Sequence, residues 1–136
     1  MSTSEAVDPQ GFSPGQGLLK ERLLYLGEEL DSIVAFADGR QEPNPRGPAG
    51  WLYNVRSPLP SEGPREVLRR WRELFADELE VVRLARNTVA HAMDISDDNL
   101  RNAVTVAGEL VRIAKSSVAA ETESQTSEGR PRRAAG

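Results

Sequence analysis

Arg86-Asn87-Thr88-Val89-Ala90-His91 holds the residues of this chain best suited to chemistry. His91 is the only histidine. An imidazole with an unperturbed pKa of about 6.5 serves as base or acid at neutral pH. Arg86 supplies a fixed positive charge for phosphate oxygens. Asn87 can orient the imidazole or donate to phosphate, and Arg83 adds a second guanidinium. On a helix Arg83, Asn87 and His91 are spaced by four and form one stripe, with Arg86 beside it. At about 100° per residue, the polar arc is Arg86, Ala90, Arg83, Asn87 and His91, with Glu80 beside the last two. Leu84, Thr88, Val81, Ala92, Ala85, Val89 and Val82 make the arc expected to face the core.

This group of side chains suits RNA cleavage. Transesterification needs a base for the ribose 2′-hydroxyl, a cation for the charge building on phosphate, and an acid for the leaving 5′-oxygen. One chain offers one histidine. A base and an acid both made of histidine therefore require two chains, with paired His91 side chains across a two-fold axis.

Composition narrows the alternatives. There is no cysteine, so disulfides and thiolate metal sites are excluded. With a single histidine, a zinc site needs carboxylates or a second chain, and neither a metal nor a cofactor is expected. A net charge of −4 argues against a protein that coats nucleic acid through bulk charge, though not against a local basic site. No charged flank precedes an apolar N-terminal run, and no apolar run approaches about 18 residues, so neither a signal peptide nor a membrane span is expected. A cytoplasmic protein is the default expectation.

The elements that must position the site read as helices. Residues 1–16, rich in Ser, Pro, Gly and Gln, are expected to be a disordered leader. From Leu18 to Ala37 apolar residues recur every three or four positions, with Leu18, Tyr25 and Phe36 widening the stripe. Gly27 lies inside that helix and suggests a close helix crossing, and Gly39 is a natural C-terminal cap. Residues 40–64 hold six of the nine prolines and cannot be one continuous helix. Inside them Trp51-Leu52-Tyr53-Asn54-Val55 is expected to fold back and pin the connection. Pro64 fits the first turn of a second helix. Val67, Leu68, Trp71, Leu74 and Phe75 form its stripe, and a break or kink is expected near Asp77-Glu78-Leu79. The element carrying the site ends near Ala92. Ser96 with Asp97 and Asp98 starts a last helix running to about Ser117, and 118–136 read as a disordered tail. The chain is thus expected to be all-α: an up-and-down bundle over 17–117 with a long Pro-rich insertion after its first helix.

Arg-Asn-x-x-x-His late in a helix, followed by a short polar break and another amphipathic helix, resembles the HEPN superfamily. The stretch Leu79 to His91 is similar to its signature helix, and the likeness extends over roughly Leu79 to Ala114. The resemblance implies a helical bundle that dimerises with its motifs facing each other, and a metal-independent endoribonuclease of the kind found in toxin–antitoxin and other defence systems. It assigns Arg86, Asn87 and His91 to catalysis; Arg83, from its place on the same helical face, is expected to help hold phosphate. It implies RNA, a second copy of the chain and a protein partner or antitoxin as partners. Met93 stands where some family toxins have a tyrosine that a partner enzyme modifies. Inactive HEPN-like dimers that bind RNA, a nucleotide or a protein partner are the alternative, and a structural helical adaptor with an accidental motif is the third.

Overall fold

In a computed structural model the chain is described over residues 14–54 and 62–129. Among these it forms four α-helices and one short 3-10 turn, and no strand: α1 (Pro14–Ala37), the 3-10 turn (Gly50–Asn54), α2 (Glu62–Leu74), α3 (Ala76–Ala90) and α4 (Asp97–Gly129). The four helices pack around one core, with α4 against each of the other three.

Helix α1 buries Leu23, Leu26, Leu30, Ile33 and Phe36, the spacing of one helical face. Leu18 and Tyr25, expected to widen that stripe, are exposed instead, at 72% and 51%. Glu29 takes a place at the core edge and admits Trp51 as its partner. The helix closes on Gly39 in the left-handed region (φ 72°). The Gly39 N–H donates to Phe36 O and the Arg40 N–H to Ala35 O, a Schellman cap for which glycine carries no Cβ penalty. Arg65 supports the same end from α2: its Nε donates to Phe36 O at 2.8 Å, and its guanidinium stacks 4.4 Å from the Phe36 ring centre.

The 3-10 turn pins the connection between α1 and α2, as the aromatic cluster in that stretch suggested. Ala49 and Leu52 are buried. Trp51 Nε1 donates to Glu29 Oε2 at 2.8 Å, and Lys115 Nζ of α4 lies 4.0 Å from the same carboxylate and 5.7 Å from the indole centre. The buried charge of Glu29 is thus hydrogen-bonded and faced by a cation, the condition under which a buried carboxylate is tolerated. Val55 lies outside the described residues.

Helices α2 and α3 are separate, and the break is at Phe75 (φ −110°, ψ 30°), two residues before Asp77. On α2 the buried residues are Pro64, Leu68 and Trp71. The Trp71 indole N–H donates to Leu110 O at 3.1 Å. Leu74, assigned to the core stripe from sequence, is 74% exposed. Leu74 is the last residue of α2, immediately before the break at Phe75.

Helix α4 starts as its sequence indicates. Ser96 Oγ accepts from the Asn99 N–H at 3.1 Å, and Asp97 and Asp98 occupy the first turn. Gln16 Nε2 of α1 donates to Asp97 Oδ1 (2.7 Å) and Ile95 O (3.1 Å), tying the two helix starts together. Its core face is Leu100, Ala103, Ala107, Leu110, Val111, Ala114 and Val118; the three alanines leave space for the large side chains of the helices around it. The helix runs on to Gly129, past the Ser117 at which periodicity suggested an end. No glycine or proline interrupts 109–128, and Val118 adds a buried contact beyond that boundary.

Candidate functional site on helix α3

The motif lies in the last turn and a half of α3. Its residues point in two directions. Asn87 and His91 are exposed and share the outer face, and Arg83 is exposed beside them. Among the described residues the Asn87 and His91 side chains make no hydrogen bond or ion pair. Arg86 turns the other way. Its side chain, 26% exposed, runs against α1 and pairs Nη1 with Asp31 Oδ2 at 3.0 Å. His91 follows Arg86 by five positions, about 140° around the helix and about 7.5 Å along it.

The arcs assigned from sequence are therefore rotated. Val82 is buried, and Leu79, Ala85, Arg86 and Val89 are partly buried against the core. Val81 and Leu84, placed on the core arc, are 43% and 53% exposed. Apolar residues occur all around α3, so its pattern alone permits more than one rotation. The deciding feature is on α1. Gly27 is buried, and a Cβ built on it overlaps Arg86 Cδ and Nε. The missing side chain is the space through which the Arg86 stem passes, and Asp31, one turn further along α1, meets its charge. The close crossing suggested by Gly27 is a crossing with an arginine. Arg86 Nε is buried there without an acceptor.

Arg83 and Arg86 also line a groove of about 640 Å³ between α1, the end of α2 and the first half of α3. Val34, Leu79 and Val82 line it, together with Arg40, Arg72, Glu28, Asp31 and Glu80. Asn87 and His91 are not part of it. The charges are largely paired. Arg83 is bidentate on Glu80, at 3.0 and 2.6 Å. That hydrogen bond outweighs a small cost of burial, and with the arginine's charge it holds the Glu80 carboxyl below its usual range and raises the Arg83 guanidinium. Arg72 and Arg40 share the carboxylate of Asp38. Burial pushes Asp38 up, but the hydrogen bonds and charges of Arg72 and then Arg40 prevail and hold it below 3.8. Among the described residues no group of three or more His, Cys, Asp or Glu is placed to hold a metal ion, and no helix is long and apolar enough to cross a membrane.

The helix ends at the histidine of the motif. His91 is the C-terminal cap, its N–H bonded to Asn87 O at 3.0 Å. Ala92 then takes the left-handed conformation (φ 57°). The Ala92 N–H donates to Val89 O and the Met93 N–H to Thr88 O, the same Schellman pattern that Gly39 closes on α1. A non-glycine residue pays about 1 kcal/mol or more for that conformation.

No protein-family model matches the chain, and no curated protein or solved structure matches it. The site therefore rests on its own geometry. Asp31, Gly27, Arg40 and Arg72 are the members that sequence reasoning did not assign. A signal was present for two of them: Gly27 and Asp31 are four apart on one face of α1, a space followed by a carboxylate.

Proposed function

We propose that the chain is a HEPN-type, metal-independent endoribonuclease that works as a homodimer, as a toxin or defence effector in the cytoplasm. The observation that carries this reading is the outer face of α3: His91 and Asn87 stand exposed and uncommitted on its last turn, beside exposed Leu84 and Val81. A second copy covering Val81 and Leu84 brings the second imidazole that the chemistry requires. One His91 takes the 2′-hydroxyl proton, and the 2′-oxygen attacks phosphorus as the bond to the 5′-oxygen breaks. The other His91 protonates that leaving oxygen. The products are a 2′,3′-cyclic phosphate and a 5′-hydroxyl. Arg86, with Arg83 beside it, neutralises charge on the non-bridging oxygens. The reading carries with it the up-and-down arrangement of the helices, with 40–64 as an insertion, and a protein antitoxin as a partner able to cover the same face.

One observation favours the alternative, an inactive HEPN-like dimer that binds RNA, a nucleotide or a protein partner. Arg86 is drawn into the α1–α3 contact by Asp31, away from the His91 face. Incubation of single-stranded RNA with the protein in excess EDTA separates the two. The ribonuclease reading expects cleavage that His91→Ala and Arg86→Ala each abolish. Stable binding without products, unchanged by His91→Ala, supports the binding module.

A further inference from the structure

We propose that the α1–α3 groove is a phosphate-binding site centred on Arg86, in which the Asp31 carboxylate occupies the place of a phosphate oxyanion. As an account of how RNA reaches Arg86, this rests on the ribonuclease reading. As a site for phosphate it stands on the groove alone.

Three observations converge on it. The first is the way Arg86 is held. Gly27 gives its stem a channel across α1, so the guanidinium emerges at the groove with its path fixed and only its end paired. The second is the partner. Asp31 is 67% exposed, and ion pairs that open to water contribute about 0–1 kcal/mol. A phosphate group, with more negative charge and more acceptor oxygens than a carboxylate, can replace it on a guanidinium fork. The third is the company Arg86 keeps. Arg83 stands on the same wall with only an exposed partner, Glu80. Along the groove Arg40, Arg72, Arg83 and Arg86 stand with Glu28, Asp31 and Glu80 on the lining, and Arg40 and Arg72 share the one carboxylate of Asp38, so an arriving phosphate competes with carboxylates for four guanidiniums. The groove is also of a size that holds small ligands, about 300–1,000 Å³.

The consequence is competition. Asp31 neutralises Arg86 at the groove, away from the exposed face of His91. A phosphodiester entering the groove displaces Asp31, gains Arg86, and finds Arg83 and the Arg40–Arg72 end along the same cleft for neighbouring phosphates. Asp31 is in this sense a positioning residue that restrains Arg86 until phosphate arrives.

The test measures binding of inorganic phosphate and, separately, of a fluorescent 2′-O-methyl RNA decamer, which lacks the nucleophile and cannot be cleaved. The full-length proteins compared are wild type, Asp31→Asn, Asp31→Asn with Arg86→Gln, and Asp98→Asn. Asp98, 98% exposed in the first turn of α4, removes the same charge away from the groove. We expect Asp31→Asn to tighten both probes about three- to tenfold, Asp98→Asn to change them less than twofold, and the added Arg86→Gln to abolish the gain. Equal effects of Asp31→Asn and Asp98→Asn overturn the proposal, as does a gain that survives Arg86→Gln, or no binding of either probe to any protein. A gain for inorganic phosphate alone upholds the groove site and counts against RNA as its ligand. RNA cleavage by the wild type together with no gain for either probe in Asp31→Asn overturns the groove site and leaves the ribonuclease reading standing.

Discussion

At the scale of single residues, two positions show how local conformation and charge are settled near the site. Gly39 and Ala92 close α1 and α3 with the same pair of backbone hydrogen bonds, yet only Gly39 lacks the Cβ that opposes a positive φ. Ala92→Gly should therefore stabilise the protein by about 1 kcal/mol, read as a higher urea midpoint at unchanged slope. A lower midpoint would show that the left-handed cap is not adopted in solution. Asp38 carries the second prediction. Its depressed carboxyl stabilises the folded chain above the unfolded aspartate value of about 3.9, and that contribution is lost as pH falls through the lower folded value. Asp38→Asn should thus lower the melting temperature at pH 7, and the gap to wild type should narrow below about pH 4. A gap that stays constant from pH 7 to pH 3 contradicts the Asp38–Arg72 pairing.

At the scale of elements, what was legible in the sequence depended on whether an element carried its own boundary chemistry. The start of α4 announced itself through Ser96 and two acidic residues, and the end of α1 through Gly39, because caps are local. The rotation of α3 was not legible. Val81, Val82, Leu84, Ala85 and Val89 spread apolar surface around the whole helix, and the choice among faces was made by Gly27 and Asp31, more than fifty residues earlier. The candidate site was visible as a set of residue types, but the opposed directions of Arg86 and His91 came only from packing. The same contact yields a prediction. In wild type, Gly27→Ala forces the Arg86 stem out of its channel and breaks the Asp31 pair, offsetting the helix propensity that alanine brings. In an Arg86→Ala background the obstruction is gone, and Gly27→Ala should stabilise by about 1 kcal/mol. Equal effects of Gly27→Ala in both backgrounds, measured by denaturant unfolding, would show that the channel does not hold Arg86.

At the scale of the whole molecule, four helices share one core through α4, and the outer face of α3 is left bearing Val81, Leu84, Asn87 and His91. The single histidine makes the catalytic claim a claim about two copies. Light scattering should find a dimer at micromolar concentration, and Leu84→Glu, which places a charge on the exposed face without touching the core, should shift it to monomer and remove cleavage together with dimerisation. A catalytically active monomer would contradict a site built from paired imidazoles. The most direct test of the central claim incubates wild type, His91→Ala and Arg86→Ala separately with single-stranded RNA in excess EDTA. The account predicts cleavage by wild type to 2′,3′-cyclic phosphate ends and none by either variant. Intact RNA with wild type, products that require a divalent metal, or undiminished cleavage by His91→Ala would contradict it.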